Sequence, residues 1–183
     1  ADSPVRELVR DAINDGRADY TPVYLSEIEE LFESAMPLDV ALIEVSPPDA
    51  HGFCSFGVGV DTTLTAARLA HYVVAQVNDQ MPRTYGDSFI HVSDIDAIVE
   101  SSRPLCALKK PEVTDLHVAI ARNVAGLIDD GAVLQTGIGG IPDAVLPFLT
   151  DRKDLGVHSE LVSDGVIPLI ETGVITGARK NFK

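Results

Sequence analysis

The sequence predicts an α/β fold built from open, largely parallel sheets flanked by helices. Short apolar runs of strand length alternate along the chain with segments of helical periodicity. The clearest apolar run is 39–45, and it stops at Ser46-Pro-Pro48, which cannot continue a hydrogen-bonded ladder. With 183 residues, of which 45% are hydrophobic, the chain can form one large domain or parts of two.

The first half of the chain alternates predicted helices and strands. Residues 2–13 have apolar residues at helical spacing, and Asn14-Asp-Gly16 ends that helix. Ser26 and Glu29 match a capping box that begins a second helix. The other predicted elements are a β-like segment over 20–25, buried strands over 39–45 and 72–78, and a helix from the Asp61-Thr-Thr63 cap to about residue 71.

The second half begins after a predicted connector. Residues 105–112 contain Lys109-Lys-Pro111 and separate a first domain, 1–104, from the start of a second, 113–183. The 3.6-residue period of apolar side chains then predicts an amphipathic helix over 113–128. The elements that follow are a short strand over 133–135, a helix over 141–149 with Pro142 near its first turn, and a strand over 155–158.

Charge and cysteine content exclude several classes of function. The formal net charge of −14 argues against nucleic acid and anionic membrane surfaces as partners. There is no signal-peptide pattern and no apolar run of bilayer-spanning length, so we expect a cytoplasmic protein. Cys54 and Cys106 are expected to be reduced, and we expect no metal site because they lack metal-ligand spacing.

The glycine-rich stretch Gly137-Ile-Gly-Gly-Ile141 follows the predicted strand 133–135 directly. Backbone N–H groups at such a junction form a pocket for anions, although the same pattern often makes only a tight turn. Glu160 comes at the end of the next strand, where a carboxylate also suits a helix N-terminus. Since ligands bind at the carboxyl ends of parallel strands, we expect the glycines and Glu160 to share one cleft.

Four further polar residues near the ends of predicted strands are candidate site residues. Asp49 and His51 follow the strand 39–45, Arg83 follows the strand 72–78, and Gln135 comes just before the glycines. Arg83 can bind a carboxylate or phosphate with two hydrogen bonds, or it can make a surface salt bridge. His51 lies between turn residues, where a solvated loop histidine is the simpler interpretation.

Four motifs resemble one known family. They are Gln135-Thr-Gly-Ile-Gly-Gly-Ile-Pro-Asp-Ala-Val145, His158-Ser-Glu-Leu-Val-Ser-Asp-Gly-Val166, Ser46-Pro-Pro-Asp-Ala-His-Gly-Phe53 with Gly57-Val-Gly-Val-Asp61, and Asn78-Asp-Gln-Met-Pro-Arg-Thr-Tyr-Gly-Asp87. Taken in their order along the chain, they resemble the acetyl-CoA hydrolase/transferase family, a branch of the family I CoA-transferases, and within it the 4-hydroxybutyrate CoA-transferases.

The resemblance implies an acyl-CoA:carboxylate CoA-transferase for short acids of the 4-hydroxybutyrate or acetate type. Glu160 matches the family's nucleophile, which forms a glutamyl-CoA thioester, and Gly137 to Ile141 match its CoA loop. The resemblance also makes Asp49, His51, Gln135 and Arg83 candidates for a substrate loop. Coenzyme A is then a substrate and covalent intermediate, and no tightly bound cofactor is expected. The resemblance also implies a homo-oligomer and two similar domains, of which this chain holds the first without its N-terminal part and the start of the second.

Two alternatives stay open. An acyl-CoA hydrolase would use the same site, with water in place of the acceptor acid. A phosphate- or nucleotide-binding module would use the glycines alone. Against that module, the stretch that begins at Gly137 lacks the sixth-position glycine of the dinucleotide fingerprint Gly-x-Gly-x-x-Gly, and Asp143 is not in register with that pattern. The phosphate-binding sequence Gly-Lys-Ser/Thr is not present either.

Overall fold

A computed structural model describes residues 4–107 and 112–180 of the chain. The chain divides into two compact units, Ala1–Ala107 and Leu108–Lys183. This division falls inside the predicted connector 105–112, of which residues 108–111 lie outside the described residues. The assignment of 1–104 and 113–183 to two similar domains stays a prediction.

The first unit contains a three-stranded parallel sheet and a small antiparallel ribbon. The sheet has the order β1-β3-β5, and the ribbon pairs β2 with β4. The elements are α1 (Pro4–Asn14), α2 (Ile28–Glu33), β1 (Val40–Val45), β2 (Phe53–Ser55), α3 (Thr63–Leu69), β3 (Tyr72–Asn78), β4 (Phe89–His91) and β5 (Ala97–Ser101), with 3-10 turns at Leu25–Glu27 and Val92–Asp94.

Strand β1 shows how the sheet forms its core. Ala41, Ile43 and Val45 are buried on one face, because alternate side chains of a strand point to the same side. Val40 and Leu42 lie on the opposite face and are exposed, Leu42 by 80%. The predicted buried strand is therefore confirmed, and its burial is confined to one face.

Two predictions near the N-terminus are wrong. Residues 20–25 form no strand, since Pro22 has no N–H to donate and the side chains of Tyr20 and Tyr24 are exposed. The capping box at Ser26 and Glu29 is absent as well, because a 3-10 turn over Leu25–Glu27 precedes α2 and no side chain caps either helix.

The second unit repeats the helix–strand alternation on a smaller scale. Strands β6 and β7 are parallel, and Leu155 adds a parallel bridge to Ile175. A core of Leu146, Leu149, Leu155 and Val166 packs beneath them. The elements are α4 (Asp115–Ala125), β6 (Val133–Leu134), α5 (Gly140–Val145), a 3-10 helix (Leu146–Leu149), β7 (Gly156–Val157) and α6 (Val166–Glu171).

The helix predicted over 141–149 is divided in two. α5 ends at Val145, and the chain continues as a 3-10 helix that contains Pro147. Proline lacks the N–H that would donate to the carbonyl of Asp143, so the α-helical bonding stops there. α5 also begins one residue earlier than predicted, at Gly140.

The two cysteines are free and differ in environment. Cys54 is fully buried in the core of the first unit, and this burial raises the pKa of its thiol. Cys106 is exposed. Among the described residues, no helix is both long and apolar enough to cross a membrane.

Candidate active site

The glycine-rich segment and Glu160 lie at the same edge of the β6–β7 sheet. β6 ends at Leu134 and leads into the glycine loop, defined here as Gly137–Ile141, while β7 ends at Val157 and leads to Glu160. Because the strands are parallel, both chain segments leave the sheet at their carboxyl ends. The expectation that the glycines and Glu160 share one cleft stays a prediction.

Ser159 and Thr136 tie the two segments together. The N–H of Thr136 donates to Ser159 Oγ over 3.1 Å, and Ser159 Oγ donates to the carbonyl of Thr136 over 2.8 Å. A longer bond of 3.4 Å runs from Thr136 Oγ1 to the carbonyl of Leu161. The residues on both sides of Glu160 are therefore bonded to the residue that precedes the glycine loop.

The three glycines of the loop differ in what a side chain would meet there. Gly139 has φ +132°, which L residues rarely adopt. A Cβ on Gly140 would lie 2.8 Å from Nδ1 and Cε1 of His117. A Cβ on Gly137 would meet only Pro142 Cγ, at an ordinary 3.8 Å. Only at Gly137, therefore, do neither backbone strain nor internal packing account for the glycine.

His117 supports the loop from α4. Its Nδ1 accepts from the N–H of Thr114 over 3.3 Å, and its own N–H donates to Thr114 Oγ1 over 3.4 Å, which forms a capping box at the start of α4. The imidazole is held between this cap and Gly140. His117 therefore packs against the glycine loop and also caps α4.

Polar groups on the loop and on Glu160 are available to a ligand. Within residues 4–107 and 112–180, the N–H groups of Gly137, Ile138 and Gly139 donate to no acceptor, and the Glu160 carboxylate has no hydrogen-bond or ion-pair partner. Glu160 and Ile138 are exposed. Unpaired amides beside an exposed carboxylate can bind an anion and present a nucleophile to it.

The other candidates belong to the first unit, except Gln135, which is exposed between β6 and the glycine loop. Arg83 Nη2 donates to Asp49 Oδ2 over 2.6 Å, and Arg83 Nη1 donates to the carbonyl of Phe53 over 3.0 Å. His51 is exposed in the same loop. Arg83 therefore makes the salt bridge that the sequence left open as an alternative, and it closes the loop after β1.

Asp49 organises that loop through its carboxylate. The N–H of Phe53 is the main cause that lowers the pKa of Asp49 below its ordinary value of 3.8, and the N–H of His51 and the charge of Arg83 lower it further against partial burial. Both N–H groups donate to Oδ1 over 2.9 Å.

We expect Asp49→Asn to destabilise the first unit in a pH-dependent way. A lowered folded-state pKa means that the ionised carboxylate stabilises the fold, fully above pH 3.8 and progressively less as the pH falls through the folded-state pKa. Thermal melts of both proteins across this range should converge in acid. A stability difference that stays constant with pH would contradict this, and Asp87→Asn, which alters only the exposed 3.4 Å pair with Arg68, is the matched control.

A groove of about 430 Å³ also lies in the first unit, beside α3 and β4. Its lining includes Phe53, Arg68, Phe89 and Asp96 but none of the predicted site residues. In the part of the chain that the structure describes, no cluster of three or more His, Cys, Asp or Glu side chains is arranged to hold a metal ion.

Sequence reasoning missed Ser159, Thr136 and the packing role of His117. A hydroxyl residue stands two residues beyond the end of each of two successive strands, at Thr136 and at Ser159. That shared placement is the signal that could have linked them, because equivalent residues of adjacent parallel strands lie side by side.

The comparisons with known proteins agree with the predicted resemblance. The sequence profile of the acetyl-CoA hydrolase/transferase N-terminal domain matches residues 2–108. The 4-hydroxybutyrate coenzyme A transferase of Clostridium kluyveri is 59% identical over 174 residues, which are 94% of this chain and 41% of that protein. A succinyl-CoA:acetate/propanoyl-CoA:succinate CoA transferase of Fasciola hepatica is 50% identical over 95% of this chain and 37% of its own length.

A solved structure shows the same similarity in three dimensions. The 4-hydroxybutyrate CoA-transferase of Porphyromonas gingivalis superimposes with a TM-score of 0.86 at 43% identity, over 97% of this chain and 45% of that one. The chain thus spans about two fifths of the length of these relatives. By the profile match over more than half of its residues, the chain belongs to the acetyl-CoA hydrolase/transferase family.

Proposed function

We propose that the complete protein is an acyl-CoA:carboxylate CoA-transferase that acts on short-chain acids of the 4-hydroxybutyrate and acetate type. The observation that carries this proposal is the glycine loop tied to the Glu160 segment at the ends of two adjacent parallel strands. The names of the relatives, 4-hydroxybutyrate coenzyme A transferase among them, support the substrate class.

The glycine loop is the proposed contact for coenzyme A. The chain has a formal net charge of −14, so its overall field repels a ligand that carries several phosphates. Local donors must outweigh that field. The unpaired N–H groups of Gly137, Ile138 and Gly139 are donors of this kind, and the absence of side chains at Gly137 and Gly139 allows close approach of a ligand.

Glu160 is the proposed nucleophile, and its cycle conserves atoms and charge. Its carboxylate oxygen attacks the acyl-CoA carbonyl and expels the CoA thiolate, leaving a mixed anhydride. The thiolate attacks the glutamyl carbonyl, which releases the first acid as its carboxylate and leaves a glutamyl-CoA thioester. The acceptor carboxylate then attacks this thioester, and the expelled thiolate takes the new acyl group and frees Glu160.

The loop amides also suit the intermediates of these steps. Each attack on a carbonyl passes through a tetrahedral oxyanion, which N–H donors stabilise when they are already in place before the reaction. The bonds between Thr136 and Ser159 lie within the protein and hold the loop and the Glu160 segment at one edge. A site organised in advance loses less entropy when the substrate binds.

Product analysis separates transfer from the alternatives. Incubation of the complete protein with acetyl-CoA and 4-hydroxybutyrate is expected to give acetate and 4-hydroxybutyryl-CoA while the total thioester concentration stays constant. Thioester loss at the same rate without an acceptor acid would show a hydrolase. No turnover, with CoA displaced from the protein by inorganic phosphate, would leave the phosphate-binding module.

We further propose that the complete enzyme is a cytoplasmic homo-oligomer that uses coenzyme A as a substrate and holds no tightly bound cofactor. This proposal follows from the family to which the chain belongs. Light scattering of the purified protein during gel filtration checks the oligomeric state, and its absorption spectrum checks for a retained cofactor.

A further inference from the structure

The ladder between β6 and β7 ends in an unusual way beside Glu160. The N–H of Gly156 donates to the carbonyl of Ala132, and the N–H of His158 donates to the carbonyl of Leu134, each over 2.9 Å. The next bond of this parallel series would run from the N–H of Glu160 to the carbonyl of Thr136.

The hydroxyl of Ser159 takes that place. It donates to the carbonyl of Thr136 over 2.8 Å and at the same time accepts from the N–H of Thr136 over 3.1 Å. One side chain therefore satisfies both backbone groups of Thr136, which is half-buried along with Ser159. Across the described ranges, the N–H of Glu160 has no acceptor.

We propose that Ser159 is a positioning residue for Glu160. Because its hydroxyl donates to the carbonyl of Thr136, the ladder ends at the bond from the N–H of His158 to the carbonyl of Leu134. Glu160 therefore leaves the sheet with its N–H and its carboxylate both available to a ligand. The same two bonds keep the Glu160 backbone beside the residue that precedes the glycine loop. This inference depends on the proposed role of Glu160 as nucleophile, and it adds a group that acts through Glu160 without touching the substrate.

The physical consequence is a loss of alignment when the hydroxyl is removed. In Ser159→Ala, the N–H and the carbonyl of Thr136 lose their partner. The free carbonyl can then accept from the N–H of Glu160, which adds one more bond to the ladder. That added bond shifts Glu160 relative to the loop. A displacement of about 1 Å at a reacting group costs roughly 100-fold in rate. The CoA loop itself is unchanged, so substrate binding should change little.

The test compares steady-state kinetics of variants of the complete protein. For Ser159→Ala we expect kcat to fall by about 30- to 100-fold while KM for acyl-CoA stays within about 3-fold. Ser159→Thr keeps the hydroxyl and should retain kcat within about 5-fold. Ser159→Val has the shape of the threonine variant but lacks the hydroxyl, and its kcat should match that of the alanine variant. Rates are expressed per mole of folded protein, so a loss of stability alone does not count.

Controls distinguish this inference from the proposed function. Ser102→Ala removes an exposed hydroxyl that donates to Asp79 in the first unit over 3.1 Å, and it should leave kcat unchanged. Full activity in Glu160→Gln would overturn the proposed mechanism itself. Loss of activity in Glu160→Gln together with equal kcat for the Thr and Val variants of Ser159 would overturn the positioning role and leave the nucleophile in place.

Discussion

Glu160→Gln in the complete protein is expected to lower the rate of CoA transfer by about four orders of magnitude, the scale seen when a covalent nucleophile is lost. The glutamine amide has nearly the size of the carboxylate. The Glu160 side chain is exposed, and it has no hydrogen bond or ion pair within the described residues that the change would break. The substitution therefore tests nucleophilicity with little effect on packing. The melting temperature should stay the same, and the Kd for CoA should change little.

A matched control is available in the same unit. Glu171 is exposed at the end of α6, so Glu171→Gln makes the same chemical change away from the proposed site. We expect this variant to keep normal transfer kinetics. Equal losses in the two variants would point to a general charge effect and would contradict a covalent role for Glu160.

Substitutions in the glycine loop should have the second largest effect, and the structure separates their causes. Gly137→Ala is expected to fold normally, since its Cβ would meet only Pro142 Cγ at 3.8 Å, yet to weaken CoA binding. We expect a rise in Kd of about 10-fold, because overpacking a contact by one methyl group costs about 1–3 kcal/mol, and about 1.4 kcal/mol corresponds to a factor of ten in Kd. Calorimetric titration with CoA measures this directly.

Gly140→Ala should fail for a different reason. Its Cβ would lie 2.8 Å from the imidazole of His117, so the variant is expected to lose stability as well as binding. Removing the ring relieves this clash, and Gly140→Ala should therefore destabilise a His117→Ala background less than the wild-type protein.

Unchanged CoA affinity in Gly137→Ala, with the fold intact, would remove the loop from the proposed CoA site.

Gly139 stands between these two cases. Its Cβ would meet no atom of the described residues within 4 Å, but φ of +132° strains any L side chain. Gly139→Val therefore combines backbone strain of about 1–3 kcal/mol with obstruction of the ligand. Gly137→Ala is the cleaner test of contact with CoA.

Much of the fold could be predicted because the responsible signals are local. The strand 72–78 is confirmed, because an apolar run within the segment itself determines it. The helix from residue 63 is also confirmed, because the Asp61 side chain accepts from the N–H of Thr63 at its start. The segment 20–25 was predicted wrongly, because β propensity forms a strand only where a partner strand is present. The β2–β4 ribbon was missed, since each of its strands has only three residues.

The site shows the same division between local and non-local causes. The loop and Glu160 could be assigned to one sheet edge, because parallel strands end together. The bonds of Ser159 could not be predicted, since they depend on the register of two strands of two residues each. The contact between His117 and Gly140 depends in turn on how α4 packs against α5.

The most direct measurement of the central proposal is mass spectrometry of the complete protein after incubation with acyl-CoA and no acceptor acid. A glutamyl-CoA thioester should add the mass of CoA less water to the peptide that contains Glu160, and hydroxylamine should remove it. Ser159→Val should form this adduct more slowly than Ser159→Thr. An adduct on Cys54 or Cys106, or no covalent adduct in a protein that transfers CoA, would contradict the proposed role of Glu160.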